Sequence, residues 1–289
     1  MLASALGLMG AFVYGGADFL GGLASRRLSP FAVTGVAAGS GLLLLLLAYP
    51  FVGGAWSAEA VLWGSLSGIS GAAGISLLYA CLAIGPMSIL SPLTAIVSAI
   101  VPLTVGLVRG ATFQPIGYVA LALALVAVLL VGFVPEKTAV RPSLRGILMA
   151  IGSGAMIGAF LVLIDLTPDD SGLVPLFFNR AVNGSIMAVI VVIALVIARR
   201  RPDAATRSRP GLRGALTLAL CCGLVDAVAN TLLLLGLRLG ELAVMSVLTA
   251  LYPAGTIVLA AVVLKERIAT AQIVGLVLAI AAAAMLALA

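Results

Sequence analysis

Histidine is absent from this 289-residue sequence, and charge is scarce: Asp, Glu, Lys and Arg together make up 9% of it. Soluble domains carry about 25%. Without histidine, zinc and haem sites lose their usual ligand. The three cysteines (Cys81, Cys221, Cys222) lie inside apolar runs, where they read as small packing residues and not as a disulfide set or a metal cluster. No Gly-Lys-[Ser/Thr] phosphate loop occurs, which excludes ATP hydrolysis by the chain itself. The start lacks the basic n-region of a signal peptide, so the first apolar segment is expected to persist.

What is abundant is apolar surface. Hydrophobic residues reach 63%, and the mean hydropathy is +1.29. A soluble chain holds about 45–50%, and no core of this length hides the excess, because much of any domain faces water. A water-soluble enzyme, a nucleic-acid-binding module and a disordered chain are excluded; the sequence is that of an all-α integral membrane protein. A spanning helix needs roughly 20 apolar residues. Runs of that kind occupy 4–24, 31–51, 60–83, 87–108, 115–134, 144–165, 173–198, 213–237, 242–263 and 270–288. Stretches such as Leu42 to Ala48 do not alternate as barrel strands do.

The ten spans divide five and five. Residues 85–95 lie over 240–250 at a constant offset of 155, with Gly85/Gly240, Ser91/Ser246, Leu93/Leu248, Thr94/Thr249 and Ala95/Ala250 matching. The expected organisation is one repeat over 1–134, a connecting loop over 135–143 and a second repeat over 144–289. Five spans is an odd number, so the second copy would enter the membrane from the opposite side. Such inverted repeats commonly enclose a transport site.

Several stretches carry a family resemblance: Tyr14-Gly-Gly-Ala-Asp-Phe19, Tyr79-Ala-Cys-Leu-Ala-Ile-Gly85, and Ser246-Val-Leu-Thr-Ala-Leu-Tyr-Pro253 through Lys265-Glu-Arg267 to Gly275. With these the chain resembles the ten-helix, EamA-type branch of the drug/metabolite transporter superfamily. Tyr14 stands where the family often has Trp, Ser98 where the repeat would place Pro, and Gly110-Ala111-Thr112 replaces a first Gly-Glu-Arg. Arg180 fits the family's basic residue in span 7, whereas the first repeat offers only small residues near Gly35 to Ala38. The resemblance implies movement of small organic metabolites, commonly outward, with amino acids the leading candidates and drugs or quaternary cations the alternative.

Charges within the spans sharpen this reading. Asp or Arg at a helix centre costs roughly 2.5–3.5 kcal/mol on the insertion scale, and such residues usually face an interior or aqueous cavity. Asp18, Arg180 and Asp226 qualify. Tyr14 shares a helical face with Asp18, Asn230 with Asp226, and Asn179 and Asn183 flank Arg180. One shared cavity would shelter all of them. Tyr79 and the stripe Met245, Thr249, Tyr252 complete the candidate substrate site; Ser91, Thr94 and Ser98 are read chiefly as packing hydroxyls. Two acids and one base leave one negative charge, to be met by a proton, a cation or a cationic group of the cargo. An amino acid would suit the set, carboxylate toward Arg180 and ammonium toward one aspartate. Asp18 and Asp226 are both candidates for proton coupling, and Asp226→Asn is expected to fold intact because an amide is cheaper to bury than an unpaired carboxylate.

The expected protein is thus a secondary transporter of a bacterial-type plasma membrane, working as a monomer. Its partners are a small-molecule substrate, membrane lipid and protons, with no cofactor and no nucleic acid. A membrane-embedded enzyme is the rival class, but the acidic pair Asp169-Asp170 reads as a solvated turn after Pro168. Thirteen Lys and Arg flank spans on one side against two, Arg109 and Arg238, on the other. The positive-inside rule makes the Arg-rich side cytoplasmic and the termini external, although the resembling family places both termini in the cytoplasm.

Overall fold

Ser29 and Ser143 each begin a helix by accepting from a backbone amide three residues on: Ala32 at 3.2 Å and Gly146 at 3.1 Å. Between such signals the apolar runs close on themselves as helices, which is how a backbone satisfies its polar groups away from water. The computed structural model describes residues 2–82, 84, 87–132, 142–199, 211–265 and 267–288. Most of the expected 135–143 loop, and the cations Lys137, Arg141, Arg200, Arg201, Arg207 and Arg209, lie outside the described residues.

The first half folds as α1 (Leu2–Ser25), α2 (Pro30–Val52), α3 (Ala58–Leu82), α4 (Met87–Val108) and α5 (Pro115–Gly132). The second half folds as α6 (Leu144–Asp165), α7 (Val174–Arg199), α8 (Leu212–Leu239), α9 (Leu242–Thr249), α10 (Tyr252–Val263) and α11 (Thr270–Leu288). Among the described residues there is no strand. Eight stretches are long and apolar enough to cross a membrane, the ninth span counted as Leu242–Val263, and Leu93–Val108 and Thr270–Leu286 are shorter apolar helices. The chain is a multi-pass helical membrane protein.

One expected span is two helices. α9 stops at Thr249, two turn residues follow, and α10 restarts at Tyr252. Pro253 has no amide hydrogen, and in a continuous helix its ring would strike the Thr249 carbonyl. α4, with Ser98 at the matching place, runs unbroken through Pro102. The break therefore belongs to this position and not to proline as such.

Small residues let the helices approach closely, as membrane interfaces require. A Cβ at Gly15 would stand 2.6 Å from the Gly255 Cα, and one at Gly154 would stand 2.6 Å from the Thr94 carbonyl oxygen. Gly223 rests against the Ala37 backbone. The main pairings are α1 with α8 and α10, α6 with α3 and α4, α2 with α8, and α3 with α7. α2 also packs on α7, α4 on α9, and α5 on α11. Exchanging each helix for its counterpart in the other half leaves this set of pairings unchanged.

Two ends are distinguishable. At one, Gly240 lies against Ala3, and residues 53–57 meet 166–173; we call it the Asp165 end. At the other, Arg27 lies against Gly211; we call it the Arg27 end.

Candidate functional site

A cavity of about 240 Å³ lies between the halves. α1 contributes Tyr14 and Asp18, α3 Gly71, Ile75 and Leu78, and α4 Ser98. From the second half come Ile157, Phe160 and Leu161 of α6, Asn179, Arg180 and Asn183 of α7, and Asp226 and Asn230 of α8. Ser246 and Thr249 of α9, Ala250 in the break and Tyr252 of α10 complete the wall, so the broken span borders the cavity. Interrupted helices are tolerated where they line such a space.

Tyr14, Asp18, Asn179, Arg180, Asn183, Asp226, Asn230, Thr249 and Tyr252 are thus brought together. Met245 is not. It is fully buried, its Sδ 3.2 Å from where a Cβ on Gly7 would stand and its side chain also against Gly236. Of the expected 245, 249, 252 stripe, Thr249 and Tyr252 line the cavity, and on α9 Ser246 stands there in place of Met245. The side chains of Tyr79 and Ser91 lie outside the described residues.

Geometry assigns distinct states to the three charges. Arg180, 9% exposed, pairs with Asp226 midway along α8. Asp18 lies toward the Arg27 end of α1 and is exposed; among the described residues it forms no ion pair. Asn179 is tied down, its Nδ2 donating to Ser67 Oγ at 2.8 Å, and Asn230 Nδ2 donates to its own helix at the Asp226 carbonyl, 2.8 Å away. Two buried polar atoms on adjacent turns, Arg180 Nε and Asn183 Oδ1, have no hydrogen-bond partner among the described residues. One is a donor and the other an acceptor. Leaving such groups unmet is costly, so each calls for a partner from the cavity, water or a ligand. The hydroxyls behave as packing groups: Ser98 Oγ donates to Ala95, Ser246 Oγ to Ala243, and Thr94 Oγ1 to Leu90 and Ala150 carbonyls.

Beyond the cavity, the Asp165 end is latched. Arg238, at the end of α8, donates to the Thr167 carbonyl and hydroxyl and, at 3.3 Å, to Ser171 Oγ. It also pairs with Asp169 at 3.3 Å. Arg109, at the end of α4, pairs with Asp165 at 2.7 Å. The Ala55 amide donates to the Asp170 carbonyl and the Leu173 amide to Gly53. Gly53 (φ 75°) and Gly172 (φ 48°) permit this close crossing, because L side chains resist left-handed backbone. Trp56 Nε1 donates to Tyr49 Oη at 2.7 Å, and both rings pack on Phe177. The two cations that sequence counting assigned to this side are therefore structural ties between helix ends.

Seven of the apolar spans, with α9 and α10 counted as one, wall this partly polar cavity. The EamA-like transporter family model matches residues 144–288, and the chain belongs to that family. No curated protein matches the chain. A solved structure described as "Crystal structure of protein" is similar in fold, with a TM-score of 0.75 at 16% identity, over 99% of this chain and 98% of that one.

Proposed function

We propose that the chain is a secondary transporter of small zwitterionic metabolites, amino acids first among them, working by alternating access and coupled to protons. One observation carries the reading: a single cavity lined by both halves holds the Arg180–Asp226 pair, the separate carboxylate Asp18, and an unmet donor and acceptor on α7. A cargo carboxylate accepts from Arg180 Nε, and a cargo ammonium donates to Asn183 Oδ1 and balances Asp18. Tyr14, Phe160 and Tyr252 around the same space favour a second cargo, a quaternary cation, through cation–π attraction. Uptake and efflux of labelled amino acids and tetraalkylammonium ions in proteoliposomes, with and without a pH gradient, tests this. Gradient-dependent amino-acid movement supports the reading, and movement of cations alone replaces it with the second.

The two halves are proposed to be inverted five-helix repeats over 1–134 and 144–289, a reading supported by the exchange-invariant helix pairings. On this proposal the latch seals the Asp165 end, and the cavity opens toward the Arg27 end. The Arg-rich end is assigned to the cytoplasm of a bacterial-type plasma membrane, and outward transport is what the family resemblance implies. Arg238→Ala removes hydrogen bonds worth about 1.5–3 kcal/mol each for a charged donor. It should speed modification of a Ser98→Cys thiol by an impermeant reagent by about tenfold, the equivalent of ~1.4 kcal/mol. Reagent added outside intact cells gives that gain only if the Asp165 end is external, so the same labelling reads orientation.

A further inference from the structure

The glycines of α3 fall into two kinds. A Cβ at Gly68 would stand 2.6 Å from the Asn179 carbonyl oxygen, and one at Gly74 would stand 2.8 Å from Ile157 Cγ1. These glycines exist so that α7 and α6 can approach. Gly71, one turn from each, meets no such neighbour. A Cβ there would lie 3.5 Å from Asn183 Nδ2 and 4.0 Å from Phe160 Cδ2, ordinary contact distances. Packing therefore does not require glycine at 71, and a helix interior disfavours it relative to alanine. Yet Gly71 is, among the described residues, the glycine on the cavity wall. It sits where the polar groups of α7 give way to an apolar wall of Ile75, Leu78, Ile157, Phe160 and Leu161.

We propose that Gly71 is a specificity-determining position: its missing side chain leaves the space in which the cargo's apolar substituent lies, and so sets the largest substituent admitted. This rests on the reading of the cavity as the transport site. With the charged head held at Arg180 and Asn183, the neighbouring carbon of the cargo faces position 71. The cargo's apolar body then continues along the α3–α6 wall. Filling that space keeps large substituents from the wall and leaves small ones in place, so the loss falls on the large ones, because the hydrophobic gain scales with buried area.

The test uses purified full-length wild type, Gly71→Ala and Gly71→Val, with melting temperature read alone and with glycine, alanine, leucine or phenylalanine. A ligand that binds the folded protein raises that temperature. Both variants should melt as the wild type does without ligand. The apparent affinity for leucine and phenylalanine should fall at least tenfold in Gly71→Val and less in Gly71→Ala, with glycine and alanine little changed. An equal loss for every ligand, no loss for any, or a ligand-free drop in melting temperature overturns the proposal. If no amino acid stabilises the wild type, the zwitterion reading fails separately, and Gly71→Cys in a background lacking the native cysteines decides. Reactivity toward methanethiosulfonates that falls as the reagent grows supports the proposal; no reaction, or reaction independent of reagent size, overturns it.

Discussion

Asp226→Asn should lower the melting temperature of the purified protein sharply and abolish transport. The substitution keeps the side chain's size but removes the carboxylate that faces Arg180, and Arg180 is 9% exposed. Removing one member of a buried pair typically costs about 3–5 kcal/mol, because the other charge stays buried and uncompensated. The guanidinium would then keep its unmet Nε and lose its ionic partner as well. Neutralising both residues, as Arg180→Gln with Asp226→Asn, should restore most of the stability, since no lone charge remains. Transport should stay lost, because a zwitterionic cargo of the proposed kind would no longer have a cation to meet. Thermal unfolding of the three proteins measures this. An Asp226→Asn protein as stable as the wild type would show that the pair does not hold α7 to α8.

This reverses what the residues alone suggested. Read from the sequence, Asp18 and Asp226 are equivalent mid-span acids, and the amide at 226 looks harmless to folding. The structure separates them, because only Asp226 meets the arginine. Spacing places Asp226 and Asn230 on one face of a helix, but it does not say which helix the face meets.

The spans themselves were legible because each must be about 20 residues of unbroken apolarity. The gathering of Tyr14, Asp18, Arg180 and Asp226 was legible for a related reason: polar groups too costly for lipid have few places to go. The break at Ala250 and Leu251 was not, since the apolar run continues through it and proline alone does not predict it, as Pro102 in α4 shows. Met245 was misplaced while Thr249 and Tyr252 of the same stripe were not, and an apolar side chain offers no signal to tell core from cavity. The wall formed by Ile75, Leu78, Ile157 and Phe160 was invisible for the same reason. Apolar residues facing lipid, core or cargo are alike in sequence. Arg109 and Arg238 were legible as charges near span ends, but their bonds to Asp165, Thr167 and Ser171 join segments more than 50 positions apart.

Asp18→Asn should fold as the wild type does and fail to move cargo uphill. With Arg180 and Asp226 neutralising one another, Asp18 holds the cavity's remaining negative charge, and no ion pair among the described residues offsets it. A proton or the cargo's ammonium group must balance that charge while it crosses a low-dielectric region. Asparagine removes the need for either, and so uncouples cargo movement from the proton gradient. It breaks no ion pair, so the melting temperature should not change. The decisive measurement is accumulation of a labelled amino acid against its own gradient in proteoliposomes bearing an imposed pH gradient. The wild type should accumulate the label, and Asp18→Asn of equal melting temperature should do no better than protein-free vesicles. Accumulation at the wild-type rate by Asp18→Asn would contradict the account.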